Sequence, residues 1–431
     1  MIRRLAPLLA GASLALALPA TAQTIAVTGG KVVIGDGSAP IDNGTVIITN
    51  GRVTAAGRGV AIPAGAKTID ASGKWVTPGI VAGFSRLGLA AVDAVDPAND
   101  SSAANSPFSA SLDIASAINP DVQAIGVSRA AGVTRAIVAP DAGDAIFGGQ
   151  GAVIDTGADP DPITKARAFQ FVEFGEAGAR RAGGSRPALY ASFRNALAEA
   201  RDFAANTRHD DAILKRADAA ALVPVVNGTT RLIVHVESAH DIMTVLGLKA
   251  EFPQINLVLV GVTEGWRLAP RLAAAKVPVI ASAMNDLPSS FEQLAATQSN
   301  IGRMREAGVQ VAIGMIDDDD TRQAQLSMQY AGNLVALTRV PGATGLSWDQ
   351  AFAAITSLPA EVVGMGGEIG SLRAGRRGDL VIWSGDPLEV TSAAERVWID
   401  GQEQMLTTHQ TRLRDRYQSL KKEDLPQAYK R

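Results

Sequence analysis

The sequence predicts an α/β protein: a (β/α)8 TIM-like barrel with a small β-sandwich assembled from the two ends of the chain. Three observations point there. Short apolar runs alternate with helical stretches through residues 79–368. Runs of β character flank that region on both sides. No G-x-G-x-x-G follows the first strand of the alternating region, which weighs against an open, doubly wound sheet. With 431 residues, 47% hydrophobic and 19% charged, the chain can bury a core of that size.

The elements follow in order. Residues 1–22 read as a signal peptide. Arg3 and Arg4 form a positive start, residues 5–18 are apolar, and Ala20-Thr21-Ala22 supplies the small residues of a cleavage site. The mature chain then begins at Gln23, in a bacterial periplasm or secreted. No other segment holds 18 consecutive apolar residues, so no membrane span is expected after cleavage.

Residues 24–78 are β-like. Thr45-Val46-Ile47-Ile48 and Arg52-Val53-Thr54-Ala55 flank Asn50-Gly51, a hairpin signal. The pattern returns over residues 369–406 in Leu380-Val381-Ile382-Trp383 and Arg396-Val397-Trp398-Ile399, and the two ends pair into one domain. Between them, Arg231-Leu232-Ile233-Val234-His235-Val236 is a strand before a helix over 240–252. Leu257-Val258-Leu259-Val260 is another before a helix over 265–275, and Pro278-Val279-Ile280 and Val309-Gln310-Val311-Ala312-Ile313 repeat the alternation. Serial strand–helix units imply parallel strands, and residues 79–368 suit a barrel of ~250 residues plus insertions. Gly148-Gly149-Gln150-Gly151 reads as a glycine turn. A phosphate cradle is the alternative, disfavoured without the Lys and Ser/Thr of a P-loop. Residues 407–431 form a charged, helical tail.

Composition narrows the chemistry. Forty basic against 43 acidic residues weigh against a nucleic-acid partner. The absence of cysteine excludes disulfides, thiolate metal sites and a Cys nucleophile. Histidine occurs at 209, 235, 240 and 409 alone. His235, at a strand end, is the one placed for a ligand or substrate contact; His240 starts a helix, His209 sits in a charged, solvated run, and His409 lies beyond the small sheet. No G-x-S-x-G surrounds Ser282, Ser289 or Ser290.

Four stretches carry a resemblance. They are Ile69-Asp70-Ala71-Ser72-Gly73-Lys74-Trp75-Val76-Thr77-Pro78-Gly79, then Leu257 to Trp266 (LVLVGVTEGW), then Leu358-Pro359-Ala360-Glu361 with Gly370-Ser371-Leu372, and finally Ala374-Gly375-Arg376-Arg377-Gly378-Asp379-Leu380. Together the chain resembles the amidohydrolase superfamily, in its imidazolonepropionase-like and prolidase-like branch. The resemblance implies a hydrolase of carbon–nitrogen bonds other than peptide bonds, with zinc-type divalent metal ions activating water. It implies a small-molecule substrate and leaves a homo- or hetero-oligomer open.

The family's ligands are two His in H-x-H after strand one, a modified Lys or a Glu on strand four, a His on each of strands five and six, and an Asp after strand eight. Here Phe84 and Arg86 take the H-x-H positions and Gly261 the strand-six His position. His235 and Glu237 stand on strand five as the remaining metal candidates, and Asp317 opens Asp317-Asp318-Asp319-Asp320 after strand eight as the catalytic candidate. Arg86 and Glu264 are the substrate-binding candidates, Arg86 because a guanidinium pairs with a carboxylate. Glu264 has a second reading, as a cap on the helix that follows it. The alternative to a hydrolase is an inactive relative serving as partner subunit or small-molecule binding protein.

Overall fold

The computed structural model describes residues 24–92, 95–207, 209–314 and 323–418. The first sheet begins with β1 (Thr24–Val32), β2 (Ile41–Thr49), β3 (Arg52–Gly57), β4 (Lys67–Asp70) and β5 (Trp75–Pro78). The barrel strands are β6 (Ile80–Ser85), β7 (Val133–Val138), β8 (Phe147–Asp155), β9 (Ile163–Glu173), β10 (Arg231–Val236), β11 (Asn256–Gly261), β12 (Val279–Ala281) and β13 (Val311–Ile313). The chain then returns to the first sheet as β14 (Leu380–Trp383), β15 (Ala394–Ile399) and β16 (Gln402–Glu403). The helices that concern the site are α1 (Gln123–Ala130), α2 (Gly175–Arg181), α3 (Arg186–Ala204), α4 (Arg216–Val226) and α5 (Ala239–Glu251). After them come α6 (Ala269–Ala275), α7 (Asn300–Glu306), α8 (Leu326–Ala336), α9 (Trp348–Ala353), α10 (Ser357–Val362) and α11 (His409–Tyr417).

The ends of the described chain meet in one sheet. β5 pairs antiparallel with β14, setting Trp75 opposite Trp383 and Pro78 opposite Leu380. β1 changes partner along its length, running parallel to β4 through Ile25–Thr28 and to β5 through Lys31–Val32. The switch falls at Gly29-Gly30. Gly29 has φ 76°, and a side chain on Gly30 would press into Val76.

The barrel departs from all-parallel order in one place. β8 runs antiparallel to both β7 and β9, while β9 through β13 and the β6–β7 pair are parallel. The short connections on either side of β8 hold no helix. This corrects the reading of residues 148–151 as a turn: they lie within β8. The glycines serve close packing, since a Cβ on Gly151 would enter the Phe169 ring and one on Gly148 would crowd Phe171.

β6 and β13 are the two ends of the barrel ladder. The segment between α9 and α10 stitches them: Val81 N–H donates to the Ile355 carbonyl and Ile313 N–H to the Ala354 carbonyl, each at 2.9 Å. The lumen is packed with Val81, Phe84, Ile137, Phe169, Phe171, Ile233, Val258, Val260 and Ile280, while a larger apolar shell lies between strands and helices. The barrel is joined to the small sheet at Arg135 of β7, a fully buried guanidinium. Its Nε and Nη2 donate to the two Asp379 oxygens at 2.7 and 2.9 Å, and Nη2 lies 2.9 Å from Asp400. Nη1 donates to Thr164 Oγ1 at 2.7 Å and reaches Asp155 at 3.4 Å.

Candidate active site at the carboxyl ends of the strands

Alternate residues on β9 and β10 face the lumen, as period two requires. Phe169 and Phe171 on β9, and Ile233 on β10, belong to the apolar filling. The next inward positions towards the mouth are polar: Glu173 and His235, which the register sets side by side. Glu173 Oε1 lies 2.6 Å from His235 Nδ1, and Glu237 Oε1 lies 2.8 Å from His235 Nε2. Glu237 also accepts the Thr263 N–H through its other oxygen at 2.8 Å.

Burial alone would lower the His235 pKa. The charges and hydrogen bonds of Glu173 and Glu237 outweigh it and hold the imidazole well above its ordinary 6.5. Both ring nitrogens thus face carboxylate oxygens, an arrangement that favours the protonated ring.

Gly261 makes room for this arrangement. It has φ 87°, and a Cβ there would collide with the Glu237 carboxylate and the His235 ring. Phe84 is buried and tilts against Phe171, ring centroids 5.8 Å apart, so it plugs the lumen beneath the polar layer. Arg86 extends beyond β6 and meets Asp141, Nη2 to Oδ1 at 3.3 Å, a carboxylate of this chain in the place expected for a ligand's. Glu264 is buried, with both oxygens engaged. One accepts the Ala295 N–H at 2.9 Å; the other accepts Ala239 N–H and Arg267 Nη1 at 3.0 Å each. Its carboxylate thus caps α5 and not the turn that follows it, because Ala239 N–H is the orphan donor within reach. Asp317 and its three acidic neighbours lie outside the described residues. His209, His240 and His409 are exposed.

Besides Glu173, sequence reading left two further members of the mouth unassigned. Glu292, between β12 and α7, accepts the Glu176 N–H at 2.7 Å and lies 3.6 Å from Arg186. Burial pushes its carboxyl up to about 6. Asp141 is the other. Neither carries a motif; each reaches the mouth through the fold of a loop.

A hydrolytic zinc centre needs about three protein donors and an open position. Among the described residues no group of three His, Asp or Glu side chains is placed to hold one ion. His235 commits both nitrogens to carboxylates, Phe84 offers no donor, and the Gly261 position is filled by Glu237. The described residues do not fit the metal that the resemblance implies.

Residues 267–403 match the amidohydrolase family. A solved amidohydrolase structure from Thermotoga maritima superposes with a TM-score of 0.77 at 25% identity, covering 88% of this chain and 99% of that one. Amidohydrolase tasK of Hapsidospora irregularis is 25% identical over 394 residues, which cover 79% of this chain and 37% of that protein. The imidazolonepropionase of Maricaulis maris is 31% identical over 137 residues, 32% of this chain and 31% of that enzyme. The chain thus spans about a third of the length of each of these two curated relatives. With a barrel closed by one small sheet from both ends of the described chain, this protein shares the architecture of the Thermotoga maritima amidohydrolase, carries the amidohydrolase family match over residues 267–403, and is similar over part of its length to imidazolonepropionases.

Proposed function

We propose that this chain is a non-hydrolytic member of the amidohydrolase superfamily, acting as a binding protein or partner subunit for a small molecule at the barrel mouth. One observation carries the reading: both nitrogens of His235 face carboxylates of Glu173 and Glu237, with Glu237 filling the space beside Gly261, the position that the resemblance gives to the strand-six ligand. A cation entering there would have to break two charge-assisted hydrogen bonds and displace an imidazolium. At the mouth His235 can hold a proton between two carboxylates, and Arg86 can exchange Asp141 for a ligand carboxylate.

The second reading is hydrolysis of a non-peptide carbon–nitrogen bond. The likeness to the Thermotoga maritima amidohydrolase, over nearly the whole of both chains, favours it. The experiment is metal analysis of untagged protein with turnover assays on a panel of cyclic and acyclic amides. The proposal expects less than a tenth of an equivalent of zinc, manganese or iron, and no turnover after any of them is added. A stoichiometric ion with amide cleavage overturns it. We also propose export with cleavage before Gln23. Mass spectrometry of the periplasmic fraction should find a mature chain beginning there, and an intact Met1 terminus overturns that.

A further inference from the structure

Beside the mouth, the long connection from β6 to α1 folds back over the β8 hairpin and encloses a cleft of 510 Å³. None of the mouth residues Phe84, Arg86, Glu173, His235, Glu237 or Glu264 lines it. A second hollow of 210 Å³ shares Ala103, Phe108, Leu112 and Gly148 with the cleft and reaches Asp141. The combined space lies in the range of small-molecule sites.

The connection is held in place from below. Asp218 of α4 is buried, and one of its oxygens accepts Ser109 N–H, Ser111 N–H and Ser111 Oγ–H at 3.0, 2.8 and 2.7 Å. Gln150 of β8 donates to the Ser111 carbonyl at 3.3 Å. Arg167 Nε donates to Asp113 at 2.7 Å, and the other Asp113 oxygen caps Ala115 N–H at 3.1 Å. The walls are therefore anchored before any ligand arrives, which lowers the ordering cost of binding.

The lining decides the chemistry. Phe108, Leu112 and Ile114 supply apolar surface, Phe108 being 44% exposed. Among the described residues no Lys, Arg or His lines the cleft. Of its two carboxylates, Asp113 is neutralised by Arg167, whereas Asp100 forms no ion pair among the described residues. An anion would meet an uncompensated negative charge and an aromatic face. An organic cation would meet a counter-ion and a ring able to take it face-on.

We propose that this cleft is a second ligand site, beside the mouth and bordering it at Asp141, that takes a small organic amine or quaternary ammonium with an apolar body. Asp100 pairs with the cationic head and Phe108 and Leu112 cover the apolar part.

Calorimetric titration of the mature chain with phenethylamine, phenylacetate and benzyl alcohol tests it. Phenethylamine is expected to bind at least tenfold more tightly than phenylacetate. Asp100→Asn should weaken phenethylamine about tenfold, and Phe108→Ala about fivefold. Asp100 is exposed and unpaired, so its replacement leaves the fold intact. Ala217→Trp, at an exposed α4 position on the rim, should block binding without disturbing the packed interior. Equal binding of phenylacetate, or Asp100→Asn and Ala217→Trp both within twofold of the parent, overturns the assignment.

Discussion

At Gly261 the backbone takes a conformation that side chains rarely adopt, and the space a Cβ would fill holds the Glu237 carboxylate. Gly261→Ala is expected to cost about 1–3 kcal/mol through backbone strain and displacement of Glu237, read as a lowered midpoint in urea unfolding. Placing His at positions 84, 86 and 261 together should not restore zinc binding, because Glu173 and Glu237 still hold His235; equilibrium dialysis against zinc checks this. His235 also gives a pH prediction. Its pKa is raised on folding, so its contribution to stability is complete below about 6.5 and is lost as pH climbs through the higher folded value. The Glu173→Gln, Glu237→Gln double variant should lose that dependence in melts recorded from pH 6 upward. Phe84, Arg86 and Gly261 could be singled out from sequence because the resemblance says where ligands belong; their surroundings came only from the fold. The partner Glu173 was visible in the string, but its meaning was not, because register between strands separated by residues 174–230 is a three-dimensional quantity.

Among the elements, the β6-to-α1 connection depends on α4 through Asp218. Asp218→Ala leaves two half-buried backbone N–H groups and one half-buried hydroxyl without this acceptor, at a cost of about 1–3 kcal/mol in all. Hydrogen exchange at Ser109 and Ser111 should accelerate while the β9–β11 core stays protected. The loop after β12 is docked by Glu292, whose carboxyl is pushed up to about 6 by burial. With its pKa raised on folding, this group favours the fold fully below its ordinary 4.5, and that contribution fades as pH rises through 6. Glu292→Gln, which keeps an acceptor for Glu176 N–H, is therefore expected to melt at or above the parent at pH 8, and the gap should close towards pH 4.5. Strong strands such as β10 and β11 were legible from their apolar runs. The reversal of β8 was not, since its glycines mimic a turn signal and only contact with Phe169 and Phe171 shows why they are needed. The helix expected over 265–275 divides into a 3-10 turn and α6, with Pro270 at the start of the regular helix.

For the whole molecule, Arg135 is the joint. Its removal leaves Asp155, Asp379 and Asp400 crowded around a buried void, and breaking such a cluster costs about 3–5 kcal/mol. Arg135→Met should melt well below the parent at pH 8 and recover part of the loss near pH 5, where Asp155, already pushed up to about 6 by burial, takes up a proton. The two-part architecture was legible because both ends share a β pattern and a barrel rhythm lies between them; this joint was not, since nothing in the string marks one arginine of a strand as its centre. The pairing of β5 with β14 has a further consequence, for the order of events at the ribosome. The opening strands emerge first yet cannot complete their sheet until residues 380–403 follow, after the entire barrel. At about 5–20 residues per second that wait is about 15–60 s. Until residues 380–403 arrive, at the ribosome or after export, an unfinished strand edge stands open to other chains, so this protein is expected to need a holding chaperone until the second set of strands joins the first.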